Sequence, residues 1–215
     1  ALQQLELNPH LSTISVGTKA HPSQPGGLSP AGIRSQLAAS QTALGLNTFG
    51  EYYLHQPDTN HSLLSSLETA HQFKMEGLIS KIGLSNYHFL EVKRVFDLCE
   101  QHKLTKPSVY QGLYNPLNRM VEKDLLPLLK ENGCSFVAYN PLAAGLLTGK
   151  HKRDGGVIKG RFKNNQNYLP RFYTDENFDA IEMISAACAE ANISMVDATF
   201  AWLLRHSALT ESDGV

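Results

Sequence analysis

Lys81-Ile82-Gly83-Leu84-Ser85-Asn86 is a short apolar run closed by two polar residues, and the same figure recurs along the chain. Ile14-Ser15-Val16-Gly17 runs into Thr18-Lys19, and Tyr52-Tyr53-Leu54 into His55. Ser108-Val109-Tyr110 runs into Gln111, and Phe136-Val137-Ala138 into Tyr139-Asn140. Successive polar landmarks stand roughly 25 to 36 residues apart, about the length of one strand, one helix and two loops. A polar residue at the C-terminal end of each successive parallel strand is how a (β/α) barrel assembles an active site. The pattern predicts an enzyme.

The intervals carry helical stripes. Ser29-Pro30 places an N-cap before Pro at the first helical position, with Ile33, Leu37 and Leu44 on one face. A second helix is expected from about Ser62 to Glu76, stopping at Gly77, and a third aligns Phe89, Val92, Phe96 and Cys99. The fourth carries Val121, Leu125 and Leu128 and ends near Asn132-Gly133. Two late helices carry Phe178, Ile181 and Cys188, then Val196, Phe200, Leu203 and Leu204. No linker divides the chain, so one domain over residues 1–215 is expected.

Strands alternating with helices imply a parallel sheet. A doubly wound sheet would place G-x-G-x-x-G after its first strand, whereas Gly17-Thr18-Lys19-Ala20 enters a Pro/Gly-rich loop without it. The segment ending Gly149-Lys150 fails as a P-loop, because Ala144 holds the first glycine position and His151 replaces the Ser/Thr that would ligate magnesium. A late phosphate-binding loop suits a barrel. The fold expected is α/β, of the (β/α)8 TIM-barrel type, with about five of the eight strands in this sequence.

A formal charge of −1 and scattered Lys and Arg, with one basic run at Lys150-His151-Lys152-Arg153, argue against nucleic acid or a membrane surface as the main partner. No apolar stretch approaches the roughly 20 residues a membrane span needs. Cys99, Cys134 and Cys188 are widely spaced and odd in number, which suggests reduced thiols and a cytoplasmic protein. No metal site is expected.

Taken in order, Thr18-Lys19-Ala20, Tyr53-Leu54-His55-Gln56-Pro57-Asp58, Gly83-Leu84-Ser85-Asn86-Tyr87, Val109-Tyr110-Gln111-Gly112-Leu113-Tyr114-Asn115 and the run from Ala138 to Lys150 resemble the aldo-keto reductases. The likeness is strongest to the branch of aflatoxin-aldehyde and succinic-semialdehyde reductases, and continues through Gly160-Arg161-Phe162 and Tyr168-Leu169-Pro170-Arg171. The resemblance implies NADPH/NADP as cofactor, a small-molecule carbonyl as substrate, and hydride transfer with a tyrosine giving the oxygen its proton. Lys19 then matches the lysine that lowers that tyrosine's pKa, and His55 the histidine that hydrogen-bonds and orients the carbonyl. Ser85, Asn86 and Gln111 match the groups that hold the nicotinamide carboxamide, and Tyr139 the aromatic that stacks on its ring. Asn140, Pro141, Leu142, Ala143, Ala144, Gly145, Leu146, Leu147, Thr148, Gly149 and Lys150 match the loop that cradles the pyrophosphate. Arg161 matches a further cofactor contact, and Tyr168 and Arg171 match positions that touch an acidic substrate. A homodimer is the candidate assembly.

Each residue also has a plainer role open to it. Lys19 alone would be a solvated charge, His55 a structural histidine, and Ser85-Asn86 a helix N-cap. The family's proton-donating tyrosine lies in an Asp-x-x-x-x-Tyr motif on the preceding strand, and no Asp in this sequence has a Tyr five residues later. Leu2-Gln3-Gln4-Leu5-Glu6-Leu7 looks like the end of the helix after that motif, and Ser212-Asp213-Gly214-Val215 like the approach to the last barrel strand. The sequence as given is therefore expected to be a piece of a longer enzyme and inactive by itself. A catalytically dead product, or a regulatory barrel such as the potassium-channel β-subunits that resemble this family, is the alternative. Gly50 also departs from the family, which has an aspartate five residues before the histidine. A phosphate-binding isomerase would need a carboxylate base, for which Asp58 and Glu51 are the poor candidates.

Overall fold

The computed structural model describes residues 14–153, 162, 165 and 168–215. Arg161, Gly160 and the segment Leu2–Leu7 lie outside the described residues. The chain forms two compact units, the first from the described residues through Gln111 with Pro127–Ser135, the second from Gly112–Leu126 with Phe136–Val215.

The first unit is built by strict alternation of strand and helix: β1 (Gly17–Ala20), α1 (Pro30–Leu44), β2 (Phe49–Leu54), α2 (Leu63–Met75), β3 (Ile79–Ser85), α3 (Phe89–Gln101) and β4 (Val109–Leu113). The strands pair in chain order and are parallel, with Lys19 opposite Tyr53, Tyr53 opposite Gly83, and Ser85 opposite Gln111. Ser135, which opens β5 (Ser135–Tyr139), extends the ladder by donating its N–H to Ser108 O. An order that never reverses is that of a singly wound barrel. A doubly wound sheet reverses at its switch point. The fold is α/β of the TIM-barrel type, and the described residues supply five of its strands.

The helices begin where side chains can take up orphan backbone N–H groups. Ser29 Oγ accepts from Gly32 N, with Pro30 just inside α1, and Ser62 caps α2 in the same way. For α3 the cap is His88, with Glu91 reaching back to its N–H at 2.8 Å in a capping box. Ser85 and Asn86 are thus not the cap that the sequence left open. The fourth helix is also shorter than expected: α4 is Leu125–Glu131, and Val121 sits in a separate 3₁₀ turn, Met120–Glu122.

Pleating divides each strand into two faces. Tyr52, Leu54, Ile82 and Leu84 are buried, and Tyr52 makes an edge contact with Phe73 of α2 while its hydroxyl donates to Ile33 O of α1. Each such side chain contributes roughly 1.5–3 kcal/mol on burial. The opposite face carries Lys19, Glu51, Tyr53, His55, Lys81 and Gln111, an unusually polar set for the inner wall of a sheet.

In the second unit, β5 leads into a 3₁₀ segment (Ala143–Thr148), a short α5 (Leu169–Phe172), α6 (Asp175–Glu190) and α7 (Met195–Arg205). Ala143, Leu146, Leu147, Phe162, Phe172 and Phe178 pack into one apolar cluster. The apolar stripe of α7 is narrower than the sequence suggested: Leu203 is buried, but Leu204 is exposed. The return to the sheet expected near the end of the sequence is present. Gly214 forms a parallel bridge with Val137, and Asp213 accepts from Phe136 N at 2.6 Å.

Gly32 tests the packing of α1 on its entry loop. A Cβ there would stand 2.4 Å from Gly26 O, a backbone atom that cannot swing aside. Gly→Ala inside a helix ordinarily gains about 1 kcal/mol. Gly32→Ala is expected instead to destabilise the protein by about 1–3 kcal/mol, the range of overpacking, in urea denaturation. A variant as stable as wild type or more so would contradict this packing.

Candidate active site

Lys19, His55, Ser85 and Asn86 lie at the C-terminal ends of β1 to β3 or just past them, and Gln111, midway along β4, stands opposite Ser85. Their supports explain why they sit there. Thr18 and Ser40 hydrogen-bond at 3.0 Å, tying β1 to α1, and His21 N donates to Gln36 Oε1 at 2.7 Å. His55 N donates to Ala20 O at 2.9 Å, so the polar end of β2 is held level with that of β1. Asn86 takes a left-handed backbone with φ 59°, and its amide donates to His55 O at 3.0 Å and to Ser85 Oγ at 3.1 Å. Short polar residues such as Asn tolerate that conformation. The Asn86 side chain therefore links the ends of β2 and β3.

Lys19 is half-buried, its Nζ 4.8 Å from the centroid of the Tyr53 ring. Loss of water lowers its pKa, while the nearby Glu51 carboxylate opposes that shift. His55 is held below its ordinary value by burial first, then by the neighbouring His21 and by Lys19. It is consequently a neutral imidazole near pH 7, able to donate one N–H to an oxygen. The His21 ring packs edge-on against it, with centroids 4.8 Å apart. His21 Nδ1 accepts from Ser23 N at 3.0 Å, which fixes the ring that supports His55.

Gly50 does not leave His55 unsupported. A Cβ at Gly50 would stand 1.6 Å from Ser15 Oγ, so this chain uses the glycine to admit Ser15, and His55 takes its support from His21 and Asn86. The two carboxylates weighed as bases have other work. Burial alone would raise the Asp58 carboxyl, but the Leu28 amide, His61 and the Asn60 amide outweigh it and hold it below its usual value. It organises the loop after β2. Glu51 Oε2 accepts a 2.5 Å hydrogen bond from Tyr53 OH.

Motif reading gave Tyr53 no role and weighed Glu51 only as a base, although strand alternation from Lys19 and His55 places both on the polar face. His21 was missed as well, although it follows the Thr-Lys-Ala stretch directly.

In the second unit, Tyr139 ends β5 and Asn140 has φ 55°. The buried Asn115 amide donates to Asn140 O at 3.0 Å and its Oδ1 accepts from Leu117 N, locking the start of the loop. Pro141 and Leu142 then enter the 3₁₀ segment, in which Ala143, Ala144 and Gly145 have φ of 49°, 58° and 111°. The turns are closed by their own backbone, with Ala143 N donating to Asn140 O and Gly145 N to Leu142 O, both at 2.9 Å. Thr148 Oγ donates to Gly145 O at 2.7 Å, Gly149 closes the segment, and Lys150 is exposed beyond it. Tyr168 stacks on Phe172 with centroids 5.8 Å apart, and the exposed Arg171 lies over the same ring.

The depressed His55 value gives a direct check. In an NMR titration of the histidine ring protons, His55 should protonate below the ordinary value of about 6.5, and its midpoint should rise in His21→Ala. A wild-type midpoint at or above the ordinary value would contradict the burial and charge environment described.

The model of the Aldo/keto reductase family matches residues 3–212. Aflatoxin B1 aldehyde reductase member 2 of Rattus norvegicus is 38% identical over 212 residues, covering 94% of this chain and 58% of the relative. The human protein of that name is 37% identical over 94% of this chain and 59% of its own length. Human aldo-keto reductase family 7 member A3 is 36% identical over 94% of this chain and 64% of its own. The chain thus spans about three-fifths of the length of these relatives. With five motifs in order and their polar residues at successive strand ends, the chain belongs to the aldo/keto reductase family.

Proposed function

We propose that the protein carrying this chain reduces aldehyde or ketone groups of small molecules to alcohols with NADPH. The observation that carries the reading is the set of Lys19, His55, Ser85 and Asn86 at adjacent strand ends of a parallel sheet, with Gln111 opposite Ser85 on β4. In the reaction the carbonyl carbon gains a hydride and its oxygen gains a proton. NADPH supplies the hydride when bound.

The residues present suit that cofactor. A nicotinamide carboxamide both donates and accepts hydrogen bonds, and one hydroxyl with two side-chain amides (Ser85, Asn86, Gln111) offers both functions. His55, neutral near pH 7, donates to the carbonyl oxygen and draws negative charge onto it as the hydride arrives. The Lys19 ammonium acts on the proton donor by stabilising its phenolate, which makes the phenol a stronger acid. In the second unit, Tyr139 is assigned to the nicotinamide ring and Asn140–Lys150 to the pyrophosphate. Arg161 is assigned to a cofactor phosphate, and Tyr168 and Arg171 to an acidic group of the substrate. Cys99, Cys134 and Cys188, all unbridged, support a reducing, cytoplasmic setting. Among the described residues no helix is long and apolar enough to cross a membrane.

The alternative reading is a regulatory barrel that binds the cofactor without turnover, and the Asp-x-x-x-x-Tyr motif that would separate the two is not among these residues. The tyrosines of the described chain do not readily replace it. Tyr52 donates to Ile33 O, Tyr114 to Glu122, and Tyr87 is buried.

The test is His55→Ala in the full-length protein. Catalytic efficiency with an aldehyde should fall about a hundredfold, the scale of one polar group acting in the transition state, while NADPH affinity by fluorescence titration stays within about twofold. Full aldehyde reduction by the variant would leave His55 a structural residue. Absence of NADPH binding by wild type would remove the reading altogether.

A further inference from the structure

Two missing side chains shape the polar face of the first unit. A Cβ on Gly83 would stand 2.3 Å from Cδ1 of Tyr53, and one on Gly17 would stand 3.3 Å from Cβ of Glu51. Gly83 is the residue opposite Tyr53 on β3, and Gly17 the residue opposite Glu51 on β1. The glycines leave a trough across three strands in which the Glu51 and Tyr53 side chains lie. Within it Tyr53 OH donates to Glu51 Oε2 at 2.5 Å, Glu51 Oε1 faces Lys81 Nζ at 3.8 Å, and Lys19 Nζ stands over the Tyr53 ring. The chain of contacts runs Lys81–Glu51–Tyr53–Lys19 and ends on the residue assigned to the reaction.

We propose that Glu51, acting through the Tyr53 phenol, is a positioning residue that keeps the Lys19 ammonium charged and seated at the end of β1. Its consequence for turnover rests on the reductase reading of Lys19. An ammonium half removed from water tends to shed its proton. Two features oppose that loss. The ring face beneath Nζ attracts a cation, and a phenol that donates to a carboxylate carries more electron density in its ring. The carboxylate itself, partly exposed, also favours the charged form of the half-buried Lys19. The charged and titratable groups around Lys19 are then Glu51, Tyr53 and His55 of the β2 segment, His21 beyond β1, and Lys81 of β3, the last already paired with Glu51. Among the described residues around Lys19, Glu51 is the carboxylate.

The experiment measures the charge of Lys19 directly. Full-length wild type, Glu51→Gln and Tyr53→Phe are labelled with an amine-reactive reagent across a pH series, and modification of the Lys19 peptide is read by mass spectrometry. Loss of the carboxylate should move half-labelling of Lys19 to lower pH by about one unit, as for removal of a nearby opposite charge. Tyr53→Phe keeps the ring in the trough but cuts the hydrogen bond, and should shift labelling the same way by less. Should Glu51→Gln fail to fold, Tyr53→Phe carries the test. Half-labelling unchanged in the folded variants would overturn the proposal. NADPH oxidation with an aldehyde is followed in parallel, and separates this proposal from the reading it rests on. A labelling shift without wild-type turnover upholds the role of Glu51 and removes the reductase reading. Wild-type turnover without a shift removes Glu51 and leaves the reductase reading standing.

Discussion

Parallel pairing in chain order is the constraint on which the rest depends. With Lys19 opposite Tyr53 and Tyr53 opposite Gly83, the pleat assigns each side chain of β1 to β3 to one of two faces. One residue of slip would turn Tyr52, Leu54, Ile82 and Leu84 away from the helices and put the charged set in their place. Burial of those apolar side chains therefore fixes, at the same time, where Lys19 and His55 point. Stability and chemistry share one register.

The polar face is consistent internally. The charged and titratable groups on it are in contact with one another: His55 with His21, Glu51 with Tyr53 and Lys81, and Lys19 with the Tyr53 ring. A sheet wall bearing two lysines and a carboxylate costs stability unless the charges are matched. The glycines at Gly17 and Gly83 make the matching possible by leaving room for a large phenol and a carboxylate. The second unit contributes a different device, a backbone loop from Asn140 to Gly149 with repeated positive φ, pinned at its start by the buried Asn115.

Much of this was legible in the sequence for physical reasons. Apolar runs ending in polar residues gave the strands and their C-terminal ends. Ser29 announced α1, because a hydroxyl before an apolar stripe satisfies helix N–H groups, and the start expected for α2 near Ser62 proved to be its cap. The cap of α3 was hidden, since His88 is an uncommon cap and Ser85-Asn86 looked better. Val121 misled because helical spacing also suits a turn followed by a helix. The partnership of Glu51 with Tyr53 was harder to read. It depends on which residues face each other across strands, and on two glycines whose importance lies in the space they leave. Motif matching treats Tyr52-Tyr53-Leu54 as one apolar run. Alternation separates Tyr52, which packs against helices, from Tyr53, whose ring lies beside Gly83 and Lys19.

The central claim is that this scaffold directs a hydride from a nicotinamide to a carbonyl held at the ends of β1 to β4. It is tested most directly by following the hydride itself. NADPH carrying deuterium on one face of nicotinamide C4, and then on the other, is supplied to the full-length protein with an unlabelled aldehyde, and the alcohol is analysed by NMR and mass spectrometry. The account predicts deuterium on the alcohol carbon from one labelled face and none from the other, because the ring is held in a single orientation. Deuterium from neither face, or equally from both, would contradict it.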